Sequence, residues 1–190
     1  MSNKHQVVSF DDEKLILVDA EDRVLGYETK DKCHNGAGIL HRAFSIFIFN
    51  CANELLLQKR HGSKRLWGNY WSNTCCSHPR KGESYEQATI RRLKEEVGLD
   101  TPLKYLYKFQ YQAAFEDKGS ENELCSVYIG KTDRAPEINE TEIADWKYIS
   151  IDDLNHELEQ HPERFTPWFK MEWQELTAKY LDAIKNLPCL

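Results

Sequence analysis

Cys76 and His78 place a thiol beside a candidate metal ligand, in a Cys-x-His within the stretch WSNTCCSHP. A thiol in such a setting can exchange protons, and an imidazole can hold a divalent cation. Cys75 is the obvious decoy, because adjacent side chains on an extended segment point to opposite faces. Glu121 and Glu123 fall on the same side of an extended chain, where like charges repel unless water solvates them or a cation holds them. Solvation at the end of a strand remains open for this pair. His34 and His41 lie seven residues apart, which fits no standard short zinc spacing, so they gain weight only together with His78. Gln58 to Arg65, QKRHGSKR, concentrates Lys59, Arg60, Lys64 and Arg65. A solvated basic turn is the plainer reading of that segment alone, and a grip on phosphate oxygens is the functional one. Trp67, Trp71 and Trp168, taken singly, are more often core than site.

The elements that must carry these groups follow from pattern. KLILV (14–18) reads as a strand paired, across the turn at Asp19–Asp22, with the stretch beginning at Val24. Asn35-Gly36-Ala37-Gly38 reads as a plain loop, since no phosphate-loop pattern follows it. HRAFSIFIFN and LLLQKR read as two strands joined by a turn from Asn50 to Glu54. Ser84 with Gln87 marks a capping box, Leu93 and Val97 continue a helical stripe, and Gly98 ends that helix. Residues 104–115, KYLYKFQYQAAF, alternate as a strand, with Glu121 to Ile129 as its antiparallel partner across a polar turn. Residues 133–142 read as an acidic linker. WKYIS then reads as a short strand, Ile151 to Gln160 as a helix, and Thr166 to Leu187 as one long amphipathic helix capped by Thr166.

The chain has 190 residues and a net charge of −6, enough length for one domain (1–190) with a proper core. The acidic balance argues against non-specific nucleic-acid binding but leaves room for a small anion held by a few placed cations. No apolar run approaches the ~20 residues needed to span a bilayer. MSNKHQVVSFDDEK has no apolar signal core, so the expected location is the cytoplasm. Six cysteines without a CxxC pair or an export signal make a disulfide framework unexpected, and most read as buried reduced thiols.

Glu83, Arg91-Arg92, Glu95-Glu96, Gly98 and Leu99 together resemble a Nudix box. Two positions depart from it: Ser77 where Nudix hydrolases usually begin with Gly, and Arg92 where they carry Glu. The departure suggests a Nudix scaffold that grips a diphosphate without hydrolysing it. With KxxxH over Lys30 to His34, LHRAFS (40–45), WSNTCCSHP (71–79), ENELC (121–125) and FTPW (165–168), nearly the whole chain resembles the type I isopentenyl-diphosphate isomerases.

That resemblance implies an α+β, Nudix-like fold with a mixed or antiparallel sheet flanked by helices. It implies a metal site of His34, His41, His78, Glu121 and Glu123, usually for Mn²⁺ or Mg²⁺ and sometimes Zn²⁺. Glu96 matches a residue holding a second Mg²⁺ against the substrate diphosphate. Cys76 and Glu123 match the family's catalytic cysteine and glutamate, and Cys75 has no such match. Tyr111 and Trp168 match aromatic residues lining the reacting end. Lys30, Arg60, Lys64, Ser77 and Arg92 match the diphosphate-binding set. The reaction implied is the interconversion of isopentenyl and dimethylallyl diphosphate through a tertiary carbocation. The expected partner is that small molecule, with no nucleic acid and no membrane, and the chain is expected as a monomer or weak dimer. A Nudix pyrophosphohydrolase is the alternative, and a metal or nucleic-acid binding module would need neither Cys76 nor Trp168.

Overall fold

The apolar run from His41 to Phe49 is buried along almost its whole length, as a strand covered on both faces must be. The structure, a computed structural model, describes residues 4–189. In chain order the elements are β1 (Lys14–Val18), β2 (Val24–Thr29), α1 (Lys30–Cys33), β3 (His41–Phe49), β4 (Leu55–Arg60), β5 (Trp71–Ser72) and β6 (Cys75–Ser77). They continue with α2 (Tyr85–Val97), β7 (Lys104–Phe115), β8 (Gly119–Lys131), β9 (Ile143–Ile149), α3 (Ile151–Gln160), a 3₁₀ turn at Pro162–Arg164, α4 (Pro167–Lys179) and α5 (Leu181–Lys185). The strands form one mixed nine-stranded sheet centred on β3. The α+β architecture expected from the sequence is present.

Two pairings on β3 position the site. β8 runs parallel to it, with His41 opposite Glu123. Short β6 runs antiparallel to it, with Ser45 opposite Cys76 and Ile46 opposite Cys75. The period of two then sorts side chains between the two faces. Phe44, Ile46, Ile48 and Cys75 pack with Ala88, Leu93 and Val97 of α2. Ala43, Phe47, Phe49, Cys125 and Val127 pack with Trp168, Phe169 and Trp173 of α4, and Cys76 joins them from the edge.

Helix α2 begins and ends as its sequence dictates. Ser84 and Gln87 cap each other's backbone N–H, and Gly98 closes the helix with φ 69°. A side chain at Gly98 would also meet Glu137, whose Cβ lies 2.7 Å from the Cβ position.

Four expectations are corrected. The helix after Thr166 is not continuous: it ends at Lys179, so that Tyr180 stacks on Tyr107 and Ile184 turns into the core. Thr166 occupies the N-cap position without capping, because its hydroxyl is shared with that of Ser72, 2.9 Å away. The segment 133–142 is not a solvated linker. Asn139 and Glu142 are buried, and the backbone N–H groups of Glu137 and Asn139 donate to the last carbonyls of α2. β4 pairs with β3 only at Phe49–Leu55 and then diverges to pair with β9. The reason is that β3 already has β8 and β6 beside it.

The cysteines also divide. Cys51 and Cys189 form a disulfide between the β3–β4 turn and the C-terminal segment, against the expectation of reduced thiols. Cys33, Cys75 and Cys125 are free and buried, and Cys76 is free and partly exposed.

Candidate active site

His34 follows α1, His41 opens β3, His78 follows β6, and Glu121 and Glu123 share one face of β8. Each offers a ligand atom, and these atoms all lie within 4.8 Å of one another. The three imidazole centroids stand 4.8–5.1 Å apart. His34 Nε2 is 2.8 Å from Glu121 Oε2, and His78 Nε2 is 2.8 Å from Glu123 Oε1. The Nδ1 atoms of His34 and His41 lie 2.7 Å from the Lys30 and Ile39 carbonyls. A neutral ring donating from Nδ1 leaves the Nε2 lone pair turned toward the cluster.

The Gly-rich loop after His34 is tied to the start of β8. Ser120 N–H donates to the His34 carbonyl at 3.0 Å, and the Ser120 hydroxyl donates to Gly36 O at 2.7 Å. Gly119 is required at this crossing, since any Cβ on it would collide with the His34 carbonyl. Asn35 to Gly38 form a loop that docks His34 against β8.

The donor set fits a divalent cation. His41 Nε2 is wholly buried with no hydrogen-bond partner, and two carboxyl groups lie buried among imidazoles. Mixed nitrogen and oxygen donors suit Mn²⁺, Mg²⁺ or Zn²⁺. The electrostatics are those of crowded like groups. Burial and the neighbouring His34 push His41 down to about 4. Burial opposes the charged form of His34, but the Glu121 carboxylate outweighs it and raises that imidazole. Burial works against the Glu121 carboxylate too, yet His34 holds it down to about 2. Burial and the Glu121 charge drive Glu123 well up.

Beside the cluster opens a cavity of about 360 Å³. Lys30, Arg60, Lys64, Ser77 and Arg92 all line it, together with Cys76, Tyr111 and Trp168. The basic turn is therefore divided. Arg65 also borders the cavity, but its guanidinium is taken up by Asp31 at 2.9 Å and by Lys118 O at 2.9 Å, fastening the turn to α1 and to the β7–β8 turn. Lys64 pairs with Glu142. Arg92 is held by Glu96, by Glu142 at 3.2 Å, by Glu95 at 3.2 Å and by Val8 O at 2.8 Å. Glu96 is not part of the His/Glu cluster; it faces Arg92 from the cation end.

Arg60 stands at the other end. Its Nη1 is 3.7 Å from Cys76 Sγ and its guanidinium lies over the Trp168 ring, 5.3 Å from the centroid. Two carbonyls, Trp67 O and Leu66 O, each 3.2 Å away, hold it there. Burial drives the Cys76 thiol up to about 12, with Arg60 opposing only in part. Tyr111 donates its hydroxyl to Glu123 Oε2 at 2.5 Å. Trp168 Nε1 donates to Asn73 Oδ1 at 3.3 Å, and Asn73 is itself fixed by donating to Cys75 O at 2.7 Å.

Residues 39–169 match the NUDIX domain family. The isopentenyl-diphosphate Delta-isomerase 1 of Photorhabdus laumondii is 41% identical over 174 residues, covering 90% of this chain and 99% of its own. The Serratia proteamaculans isopentenyl-diphosphate Delta-isomerase is 42% identical over 176 residues, covering 93% and 98%. The chain belongs to the Nudix family, in its isopentenyl-diphosphate Delta-isomerase branch. Among solved structures, the Nudix-type fold is shared with DR0079 from Deinococcus radiodurans at a TM-score of 0.71 and 21% identity, over 88% of this chain and 99% of that one. A MutT protein from Methanosarcina mazei is similar at a TM-score of 0.62 and 15% identity, over 75% and 96%.

Within this Nudix isomerase, Glu83, Arg91 and Glu95 of the box brace one another. Arg91 grips Glu83 with two bonds of 2.6 and 2.8 Å and reaches Glu95 at 3.0 Å, tying the box loop to α2. Sequence reasoning missed Glu142, Asn73 and Glu172. Glu142 sat in an apparent linker and Glu172 on a helix read only as amphipathic. Asn73 had a signal, since it lies inside the stretch that carries Cys76 and His78.

Proposed function

We propose that this chain interconverts isopentenyl diphosphate and dimethylallyl diphosphate, adding a proton at one carbon and removing one from another through a tertiary carbocation. The observation that carries this reading is the shape of one cavity. Its cation end carries Lys30, Lys64, Ser77 and Arg92, and its other end sets the Cys76 thiol, the Trp168 indole and the Tyr111–Glu123 pair around the same space.

In this reading the diphosphate lies among Lys30, Lys64, Arg92 and Ser77, displacing part of the pairing between those cations and Glu142. Of Cys76 Sγ and the Tyr111–Glu123 pair, one delivers the proton that makes the carbocation, and the other, in its deprotonated form, takes the proton whose loss restores the double bond. The Trp168 face stabilises the positive carbon by roughly 2 kcal/mol or more when desolvated. Burial keeps out water that would capture the cation as an alcohol. Arg60, which belongs to the diphosphate-binding set, would also hold the thiol side, 3.7 Å from Cys76 Sγ. His34, His41, His78, Glu121 and Glu123 would hold a divalent cation, Mg²⁺, Mn²⁺ or Zn²⁺, and Glu96 would help hold a second Mg²⁺ arriving with the substrate. The bound metal would polarise the Glu123 carboxyl group.

No helix among the described residues is long and apolar enough to cross a membrane. We place the enzyme in the cytoplasm as a single catalytic unit over 1–190, monomeric or weakly dimeric, acting on a small diphosphate. The test is incubation of purified protein with isopentenyl diphosphate and Mg²⁺ or Mn²⁺. Dimethylallyl diphosphate should accumulate; release of phosphate without the isomer would favour pyrophosphohydrolysis and defeat the proposal.

A further inference from the structure

Glu172 lies on α4 one helical turn beyond Trp168, so both project from the same helix face. Its side chain is fully buried, and no Lys, Arg or His pairs with it among the described residues. Cys125 Sγ donates to Glu172 Oε1 at 3.6 Å and also reaches Ser45 Oγ at 3.5 Å. Glu172 Oε2 has no hydrogen-bond partner.

Its neighbours come from β3, β7 and β8, with β6 beyond them. β3 contributes Ser45, and β7 contributes Tyr107, whose hydroxyl approaches the Glu172 carbonyl at 3.5 Å. β8 contributes Cys125 and, beyond it on the same face, Glu123. β6 contributes Cys76, directly opposite Ser45 in the sheet. A negative charge on Glu172 acts on Cys76, Glu123, Cys125 and Tyr107, and none of these supplies a counter-charge. A buried carboxylate without a cation is expensive, and the usual outcome is that the group keeps its proton.

We infer that Glu172 is an uncharged carboxylic acid forming the floor beneath Cys76 and Glu123, and that it is a positioning residue for the isomerisation proposed above. The inference rests on that functional reading for its second half only. Burial pushes the Glu172 carboxyl up to about 8, with Ser45 and Cys125 offsetting a small part. A folded-state value raised above the unfolded one makes stability fall as pH rises from about 4.3 to about 8, because the folded state binds the extra proton across that window. A leucine of similar volume would carry no such cost. An acid there has an O–H and a C=O with which to orient Cys125, two residues beyond Glu123 on β8, and Ser45, opposite Cys76 on β3.

Two variants of the full-length, metal-loaded protein separate the halves. Infrared difference spectra of wild type against Glu172→Gln at neutral pH should show the carbonyl stretch of a protonated carboxylic acid, lost in the variant. Glu172→Gln should also flatten the fall in melting temperature between pH 5 and 8. Neither readout needs catalysis, so both remain decisive if isopentenyl diphosphate proves not to be the substrate. Glu172→Leu should lower kcat by about tenfold or more with KM and metal content unchanged, and Glu172→Gln should recover most of that loss. An infrared difference lacking the protonated carbonyl, or a Glu172→Gln protein with the wild-type stability slope, would overturn the uncharged state. Full kcat in Glu172→Leu, with isomerase activity present in wild type, would overturn the positioning role.

Discussion

Glu142 and Glu172 are both buried carboxyl groups close to one cavity, and they carry opposite electrostatic fates. Burial resists the charge on each. At Glu142 the neighbouring Lys64 and Arg92 more than offset it and hold the carboxyl below its ordinary range. At Glu172 burial is opposed only by hydrogen bonds with Ser45 and Cys125 and by no cation, and the carboxyl is pushed up to about 8. Burial sets the penalty, and the partner decides whether the charge survives it. The same contrast divides the cavity: one end holds paired ions that an incoming diphosphate can exchange, and the other holds groups on which burial favours the protonated form.

The contrast can be broken at either end. Replacing Cys76 with Ala should give the largest effect, lowering kcat by roughly a hundred- to ten-thousandfold while metal content and the melting temperature stay near wild type. Arg92→Ala should damage the fold itself. It strands Glu96 as a buried carboxylate and leaves Glu142 with Lys64 alone, and denaturant unfolding should show a loss of about 3–5 kcal/mol. Reducing the Cys51–Cys189 bridge should cost about 2–4 kcal/mol in the same measurement and leave kcat unchanged, since neither cysteine lines the cavity. Lys64 is closer to the surface, so Lys64→Ala should spare the fold and raise KM by about tenfold with kcat preserved. Arg60→Ala sharpens the comparison, because a guanidinium 3.7 Å from Cys76 Sγ should cost kcat as well as KM. If Arg60→Ala and Lys64→Ala behave identically, the cavity is not divided as described.

Much of this was legible in the sequence for local reasons. A capping box, a terminal glycine and strand alternation fix α2, β3 and β8 without long-range information, and alternation alone separates Cys75 from Cys76. The candidate ligands and cations were legible only through their resemblance to a family, because His34, His41, His78 and Glu121 are far apart along the chain. What stayed hidden depends on tertiary contact. Glu142 looks like one acid among several in a polar segment until Lys64 and Arg92 close on it. Glu172 looks like a surface position on an amphipathic helix until α4 lies down on Ser45 and Cys125. The break at Tyr180 follows from a ring on β7, which helix periodicity cannot register.

The most direct test is proton exchange in deuterated water, following isopentenyl diphosphate by NMR with wild type, Cys75→Ala and Cys76→Ala. Cys75 faces the α2 core and Cys76 the cavity, so wild type and Cys75→Ala should form dimethylallyl diphosphate with deuterium in a methyl group, and Cys76→Ala should form almost none. Wild-type conversion by Cys76→Ala, or loss of conversion in Cys75→Ala alone, would contradict the account.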